Sequence, residues 1–177
     1  MHRLFGMGLG LLVGKNAALF TAILFLECRL AAATAGERSA ETPECKEITA
    51  RIIEKTNTHF DHFSPSRGSV FFKRPDMVLI CDPKFVTYVS LNWDASGFPS
   101  NDWFALAATA GNAVTGVDVK KLEAAAHRCH RAALKVTDEQ ATVALPGATV
   151  GCQAFTRDGG GVVVSIAKPS PNSTDLY

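Results

Sequence analysis

The order of local sequence patterns predicts an α+β fold, with helices packed on one face of an antiparallel sheet of about five strands. Stretches with helical spacing and short alternating or fully apolar runs follow each other in the order α-βββ-αα-ββ. The connections between neighbouring strand segments are too short for a crossover helix, which favours antiparallel hairpins. This order indicates an α+β layer architecture.

The first helix is predicted to start at Pro43. Thr42 can act as its N-cap, and a proline at the first helical position loses no hydrogen bond. Residues 57–68 are rich in turn formers and are interpreted as the connection to the sheet. Helical spacing places four residues on the inward face of this helix: Cys45, Ile48, Ile52 and Thr56.

Three strands are predicted next, at 69–73, 77–81 and 84–93. Pro75 and Pro83 stand between these strands, where a missing N–H breaks no hydrogen bond of the sheet. The third strand alternates apolar and polar residues, which predicts one buried and one exposed face.

Two further helices follow the strands. Ser100 or Asn101 is expected to cap the first of them, whose inward residues are mostly small, so a neighbouring element should pack closely on it. Gly116 suits its C-cap. Asp118 starts the next helix, which extends to about Lys135.

After the helices, the sequence returns to strand-like patterns. Residues 148–157 and 162–168 are predicted to form a terminal hairpin around a turn at 158–161. The single α+β domain is therefore expected to span 42–168, and the composition of 169–177 indicates a disordered tail.

Residues 1–35 are interpreted as a secretory signal peptide. A short positive start precedes the apolar stretch at 17–26, and Ala33-Thr34-Ala35 offers a cleavage signal before a polar linker at 36–41. An uncleaved N-terminal anchor is the alternative, because residues 4–26 approach the length that spans a bilayer. Both interpretations place the domain outside the cytoplasm, in the periplasm or secreted, with membrane contact only through an uncleaved leader.

The charge of the chain excludes one class of partner. The whole chain has a formal charge of +1, and the leader holds three Lys or Arg residues against one acidic residue, which leaves −1 for the remainder. A near-neutral domain without a basic run lacks the electrostatic footprint of a nucleic-acid binder. It also lacks the polybasic stripe expected of a protein held on anionic lipid. We therefore expect no nucleic-acid partner.

Four cysteines remain after the leader. An even number of cysteines in a small exported domain favours two disulfides over buried free thiols. Three of the four face the expected core, and the pairing that we predict is Cys45–Cys81 and Cys129–Cys152. Each bond would close a loop of about 25–35 residues and be worth roughly 3 kcal/mol in the chain-entropy model.

Two His-x-x-His pairs, His59 with His62 and His127 with His130, raise the alternative of a zinc or copper site. At roughly 100° per residue, Cys129 lies on the core face of its helix, His130 at the edge of that face and His127 on the polar side. The spacing matches no recognised metal motif. We therefore favour two exposed histidine pairs over a metal-binding protein or metal-dependent hydrolase.

A loop at 92–104 combines aromatic residues with Asn and Asp, which suits contact with a ligand or partner. The competing interpretation is that its tryptophans only anchor the loop to the core. The candidate residues for such a contact are Trp93, Asp94, Phe98, Asp102 and Trp103.

The sequence contains neither a nucleophile elbow nor a phosphate-binding loop, which favours a non-enzymatic protein without a cofactor. A catalytic site assembled from residues that are distant in the chain remains an alternative. The predicted function is an exported, disulfide-stabilised binding or accessory module for an unknown protein or small molecule. The alternatives are the metal protein built on the histidine pairs and a membrane-anchored envelope subunit.

Overall fold

The structure, a computed structural model, describes residues 38–156 and 161–169. The predicted leader, the tail beyond Pro169 and most of the turn at 158–161 lie outside these ranges. Within them, no helix combines the length and the apolar character needed to cross a bilayer. The helices are α1 (Pro43–Thr56), α2 (Asn101–Thr115) and α3 (Val119–Ala133); the strands are β1 (His59–Phe63), β2 (Ser69–Lys73), β3 (Met77–Asp82), β4 (Val86–Trp93), β5 (Gln140–Leu145), β6 (Ala148–Phe155) and β7 (Gly161–Lys168).

The seven strands form one antiparallel sheet in the order β1-β2-β3-β4-β7-β6-β5. The four strands before α2 form one meander, and the three after α3 form another. The two meanders meet along β4 and β7, where Ser90 is paired with Ser165. The predicted α+β class is confirmed. The predicted number of about five strands is wrong, because each meander has one further strand at the edge of the sheet.

Both additional strands have weak sequence signals. β1 falls in the stretch 57–68 that we interpreted as a connection, and four of its five residues are exposed, so it has no apolar face. Its position depends on pairing with β2, as where Phe60 lies opposite Phe72. β5 alternates half-buried and exposed residues. Its exposed residues include Ala144, so the two faces differ little in polarity.

The core lies between the helices and one face of the sheet. α2 packs on β4 and β7, α3 packs on β5 and β6, and α1 packs mainly against α2. The alternate residues of the central strands point away from the core and stay partly exposed. A line of paired, fully buried residues crosses the inner face from β2 to β6: Val70, Leu79, Val89, Ile166 and Val150.

The helix ends agree with the local sequence signals. The side chains of Thr42, Ser100 and Asp118 each accept a hydrogen bond from a backbone N–H in the first turn of their helix. Ser100, rather than Asn101, is therefore the N-cap of α2. Gly116 closes α2 at φ 76°, a left-handed conformation that glycine adopts without steric cost.

Part of the predicted linker at 36–41 belongs to the folded unit. Residues 39–41 form a 3-10 turn in which Ala40 is buried. The backbone N–H of Ala40 donates to the Arg67 carbonyl at 3.0 Å, and the Arg67 guanidinium lies 3.0 Å from the Glu41 carboxylate. These contacts tie the start of the described chain to the loop between β1 and β2.

α2 approaches the sheet closely at Gly111. A Cβ atom at this position would lie 2.6 Å from Cδ1 and 2.7 Å from Cγ2 of Ile166 on β7. Real Cβ atoms do not approach other heavy atoms so closely, because protein interiors are packed at van der Waals contact. The small inward residues of α2 therefore serve the close packing that their sequence predicted.

The predicted cysteine pairing is confirmed. Cys45 on α1 is bonded to Cys81 on β3, with Cα atoms 5.9 Å apart. Cys129 on α3 is bonded to Cys152 on β6, with Cα atoms 5.7 Å apart. All four residues are buried. Each disulfide therefore joins a helix to the sheet.

Candidate functional site

The two histidines of α3 differ in their surroundings. His130 is buried, with 7% of its surface exposed, and His127 is half-buried. Both rings contact Phe104 of α2, with ring centroids 5.5 Å from His130 and 4.2 Å from His127. The expectation that this pair is exposed is therefore wrong for His130. The predicted position of His130 at the edge of the core face of α3 is correct, but α2 and Phe98 cover that edge of the helix.

A cavity of about 270 Å³ adjoins His130. It lies where the loop before α2, the end of α3 and the adjoining ends of β6 and β7 come together. We call it the Phe98–His130 pocket. Among the described residues, the side chains of its lining are mostly apolar and include Phe98, His130, Leu134, Ala154, Phe155 and Val162.

His130 contributes an unpaired polar atom to this region. Its Nε2 is buried and has no hydrogen-bond partner within the described residues. A buried polar group left unpaired costs about 1–3 kcal/mol, so such an atom is uncommon in a folded protein.

Burial also sets the charge of His130. The loss of solvation, followed by the positive charges of His127 and Arg131, lowers the pKa of His130 below its ordinary value of 6.5. The imidazole is therefore neutral at neutral pH, and its Nε2 is either a lone-pair acceptor or an N–H donor, depending on the tautomer.

The rim of the pocket exposes aromatic surface. Phe98 is 73% exposed and Phe155 is 41% exposed, although both are large apolar side chains. Packing in the core does not account for the exposure of either phenylalanine. Adjacent exposed apolar groups beside a cavity are typical of a binding site.

The other members of the predicted contact loop have different positions. Trp93 is half-buried, donates from Nε1 to the Gly97 carbonyl at 3.0 Å and meets Trp103 edge-on at 6.1 Å. Trp103 is buried in the core. The two tryptophans therefore hold the loop in place. Asp94 and Asp102 are exposed, and Phe98 is the member of the predicted set that reaches the pocket.

The His59–His62 pair lies at the far edge of the sheet. β1 and β6 are five strand spacings apart, or about 24 Å at about 4.8 Å per spacing, so this pair does not meet the histidines of α3. Within 38–156 and 161–169, no group of three or more His, Cys, Asp or Glu side chains is placed to hold a metal ion. The metal site built on all four histidines is therefore not formed.

His62 instead belongs to a surface cluster. Its Nδ1 lies 2.8 Å from Oδ2 of Asp61, and Lys73 donates to Oδ1 of the same carboxylate at 2.7 Å. The hydrogen bond from Lys73, followed by that from His62, holds the pKa of Asp61 below its usual value. The His62 ring stacks on Phe71, with centroids 4.6 Å apart. These contacts support the pairing of β1 with β2.

Sequence reasoning missed several side chains that line the pocket, among them Leu134, Ala154 and Val162. Each also fits a structural role in a helix or strand, so none stands out in the sequence. Phe155 could have been noticed in the sequence. It lies on the same face of β6 as Gly151 and Gln153, and it is the large apolar residue on a face that is otherwise small or polar at these positions.

Compared with known proteins, the chain matches no family model, no curated protein and no solved structure. The functional inference therefore depends on the geometry of the pocket. Among its described lining residues, His130 is the one side chain that titrates near neutral pH.

The buried imidazole has a measurable consequence for stability. The unfolded chain binds a proton at a higher pH than the folded protein, so stability is fully present above pH 6.5 and falls as the pH drops toward the lowered pKa of His130. Each unit of lowering contributes about 1.4 kcal/mol to this loss. His130→Phe keeps an aromatic ring against Phe104 and should have a flatter stability profile between pH 7.5 and 5, measured by urea unfolding.

His59→Asn is the matched control, because it removes an exposed histidine far from α3. It should retain the pH profile of the parent protein. Identical slopes for His130→Phe and the parent would show that burial does not hold His130 in its neutral form.

Proposed function

We propose that this protein is an exported, disulfide-stabilised binding module that takes up a small ligand in the Phe98–His130 pocket. The observation that carries the proposal is a cavity with mostly apolar walls that is rimmed by two exposed phenylalanines. Such a combination of apolar walls with few polar groups is the usual composition of small-molecule sites.

Export is supported by the two disulfides. Buried disulfides persist in oxidising compartments and are rare in the cytosol, so the periplasm or the exterior of the cell suits this domain. The expected test result is an intact mass, measured on protein from its native host, that starts near Gly36 with no cysteine alkylated under denaturing, non-reducing conditions. Four alkylated thiols would contradict export. A mass that includes residues 1–35 with both disulfides present would favour the anchored alternative.

The pocket is tested by Phe98→Ser. Small uncharged compounds that bind the parent protein should bind this variant about tenfold more weakly, because part of the apolar contact surface is removed. Folding should be unaffected, since Phe98 is mostly exposed. Ligand-detected NMR on a fragment collection measures the loss.

Phe85→Ser provides the matched control for that experiment. Phe85 is 66% exposed and lies in the turn between β3 and β4, outside the pocket lining. Compounds should bind Phe85→Ser as tightly as they bind the parent. Binding that survives Phe98→Ser but not Phe85→Ser would place the site elsewhere.

A further inference from the structure

We infer that the outer edge of β5 binds an extended acidic segment of another protein, which joins the sheet as a further antiparallel strand. No residue of β5 is among the described lining of the Phe98–His130 pocket, so this site is separate and does not depend on the proposed function. Two observations support the inference: the unprotected backbone of β5 and the basic side chains of α3 above it.

The backbone of β5 offers hydrogen-bonding groups at the edge of the sheet. Among the described strands, β5 pairs only with β6. The backbone N–H of Ala154 donates to the Glu139 carbonyl at 2.9 Å, and such bonded positions alternate along an antiparallel pair. The residues of β5 between the bonded positions direct their N–H and C=O groups away from β6, and all of them are exposed: Gln140, Thr142 and Ala144.

This edge lacks the features that usually keep a foreign strand from joining a sheet. The 6 residues of β5 include no charge and no proline, and their pairing with β6 continues without a bulge. β1, at the opposite edge, carries Asp61 and has an irregular register between Phe60 and His62. Charges and bulges are common means of protecting an edge. β5 is therefore the edge that can accept a further strand.

The surface of α3 above this edge is basic. Phe104 of α2 packs on both histidines of α3, which shows the side of α3 that faces α2. At about 100° per residue, Lys121 and Arg128 lie on the opposite side, about 100–120° from the buried Leu122. α3 packs on β5 and β6 and α2 on β4 and β7, so this opposite side overhangs the edge of β5. Lys121 and Arg128 are exposed, and within the described part of the chain neither forms an ion pair.

These charges select the occupant. An added strand would place every second side chain on the helix side of the sheet, next to Val143 and below Lys121 and Arg128. Acidic side chains there would meet opposite charge, whereas basic side chains would be repelled. A second copy of this chain is disfavoured, because a two-fold axis at β5 would bring the same basic residues of both copies together. The Glu139 carboxylate accepts hydrogen bonds from the backbone N–H and the hydroxyl of Thr156, which directs it toward the end of β6.

The test uses blocked octapeptides as probes of the full-length, disulfide-bonded protein. One peptide alternates threonine with glutamate, and the other alternates threonine with lysine. The glutamate peptide should bind about tenfold more tightly than the lysine peptide, because only its charges complement α3. Fluorescence anisotropy of labelled peptides measures both affinities, and the difference should shrink at about 0.5 M salt. Equal affinities at low salt would overturn the acidic class.

N-methylation separates backbone pairing from charge attraction. In the antiparallel arrangement, peptide residues whose N–H faces β5 share the outer face of the sheet with Thr142, so they are the threonines. Methylating the threonine nitrogens should weaken the glutamate peptide at least about tenfold. Methylating the glutamate nitrogens is the matched control, with the same charge, and should change the affinity by about twofold or less. Equal effects of the two methylations would overturn strand addition.

Charge reversal on α3 locates the site. Lys121→Glu combined with Arg128→Glu should reverse the preference between the two peptides, and the exposure of both side chains should preserve the fold. Lys46→Glu combined with Lys84→Glu is the matched control, because it changes the net charge equally on α1 and in the turn between β3 and β4. It should retain the preference of the parent protein. Equal effects of the two double variants would show that net charge alone attracts the peptide.

The remaining outcomes distinguish other occupants. Thr142→Pro removes an N–H that faces away from β6, so it should abolish peptide binding without breaking a bond of the sheet. Self-association of the unaltered protein that is lost in Thr142→Pro, measured by sedimentation equilibrium, would identify a second copy as the occupant and overturn the inference. Peptide binding should persist in Phe98→Ser, and its loss there would contradict a site at β5. The peptide comparisons on the unaltered protein decide the inference even if a variant fails to fold.

Discussion

Replacing Cys129 and Cys152 together with alanine is expected to lower the free energy of unfolding by roughly 3–4 kcal/mol, and replacing Cys45 and Cys81 should cost slightly more. The bonds join residues separated by 23 and 36 positions, and the longer loop restricts the unfolded chain more. Native domains are stable by only about 5–15 kcal/mol in total, so each loss is a large fraction. Urea unfolding followed by circular dichroism, without reductant, measures both.

The two double variants should also differ in which part of the protein opens more readily to hydrogen exchange. α3 is packed along β5 and β6, whereas α1 meets the sheet mainly at β3, the strand that carries Cys81. Loss of Cys45–Cys81 should therefore accelerate hydrogen exchange in α1 selectively, and loss of Cys129–Cys152 should not. Adding reductant to the parent protein serves as the control and should reproduce the combined loss. A cost below about 1 kcal/mol for either pair would contradict the chain-entropy account of that disulfide's contribution.

Gly111→Ala is expected to destabilise the protein by about 2 kcal/mol, although alanine is the better helix former by about 1 kcal/mol. The added Cβ would overlap two side-chain atoms of Ile166, which is fully buried and has no room to retreat. α2 must therefore move away from β7 or Ile166 must leave its rotamer. Chemical unfolding measures the loss in the free energy of unfolding. A double-mutant cycle with Ile166→Ala tests whether the contact with Ile166 causes it: in the Ile166→Ala background, Gly111→Ala should cost markedly less.

Gly151→Ala is the matched control for this substitution. Gly151 lies on the outer face of β6, and a Cβ there would meet no atom within 4 Å. The same chemical change should be neutral, or stabilise by up to about 1 kcal/mol through the restriction of the unfolded chain. Equal effects of the two substitutions would show that α2 does not rest on β7 as closely as the structure indicates.

The parts of the fold that depend on near neighbours in the chain could be predicted from the sequence. The caps at Thr42, Ser100 and Asp118 involve hydrogen bonds within one helical turn, and each was visible as a local pattern. The inward positions of Cys45 and Cys129 on their helices were visible in the same way, whereas the partner of each cysteine depends on the fold. These features depend on periodicity, which a single segment carries by itself.

The parts of the fold that depend on residues distant in the chain could not be predicted from the sequence. β1 has no buried face of its own and exists because β2 offers it hydrogen-bonding partners. His130 was placed at the right angle on α3, but its burial depends on Phe98 and Phe104, 32 and 26 positions earlier in the chain. Phe98 was singled out beforehand, whereas its proximity to His130 required the fold.

The positions of the two disulfides bear on the order in which the chain folds. Cys45–Cys81 closes within the part that ends at Trp93, and Cys129–Cys152 closes within the part that begins after the 94–100 loop. Among the described residues, no covalent bridge spans the β4–β7 seam, whose central Ser90 and Ser165 are 75 residues apart. Oxidation can therefore complete two halves before they dock. We expect the rate-limiting step of folding to be the closure of this seam, because it pairs the residues that are most distant in sequence within the sheet.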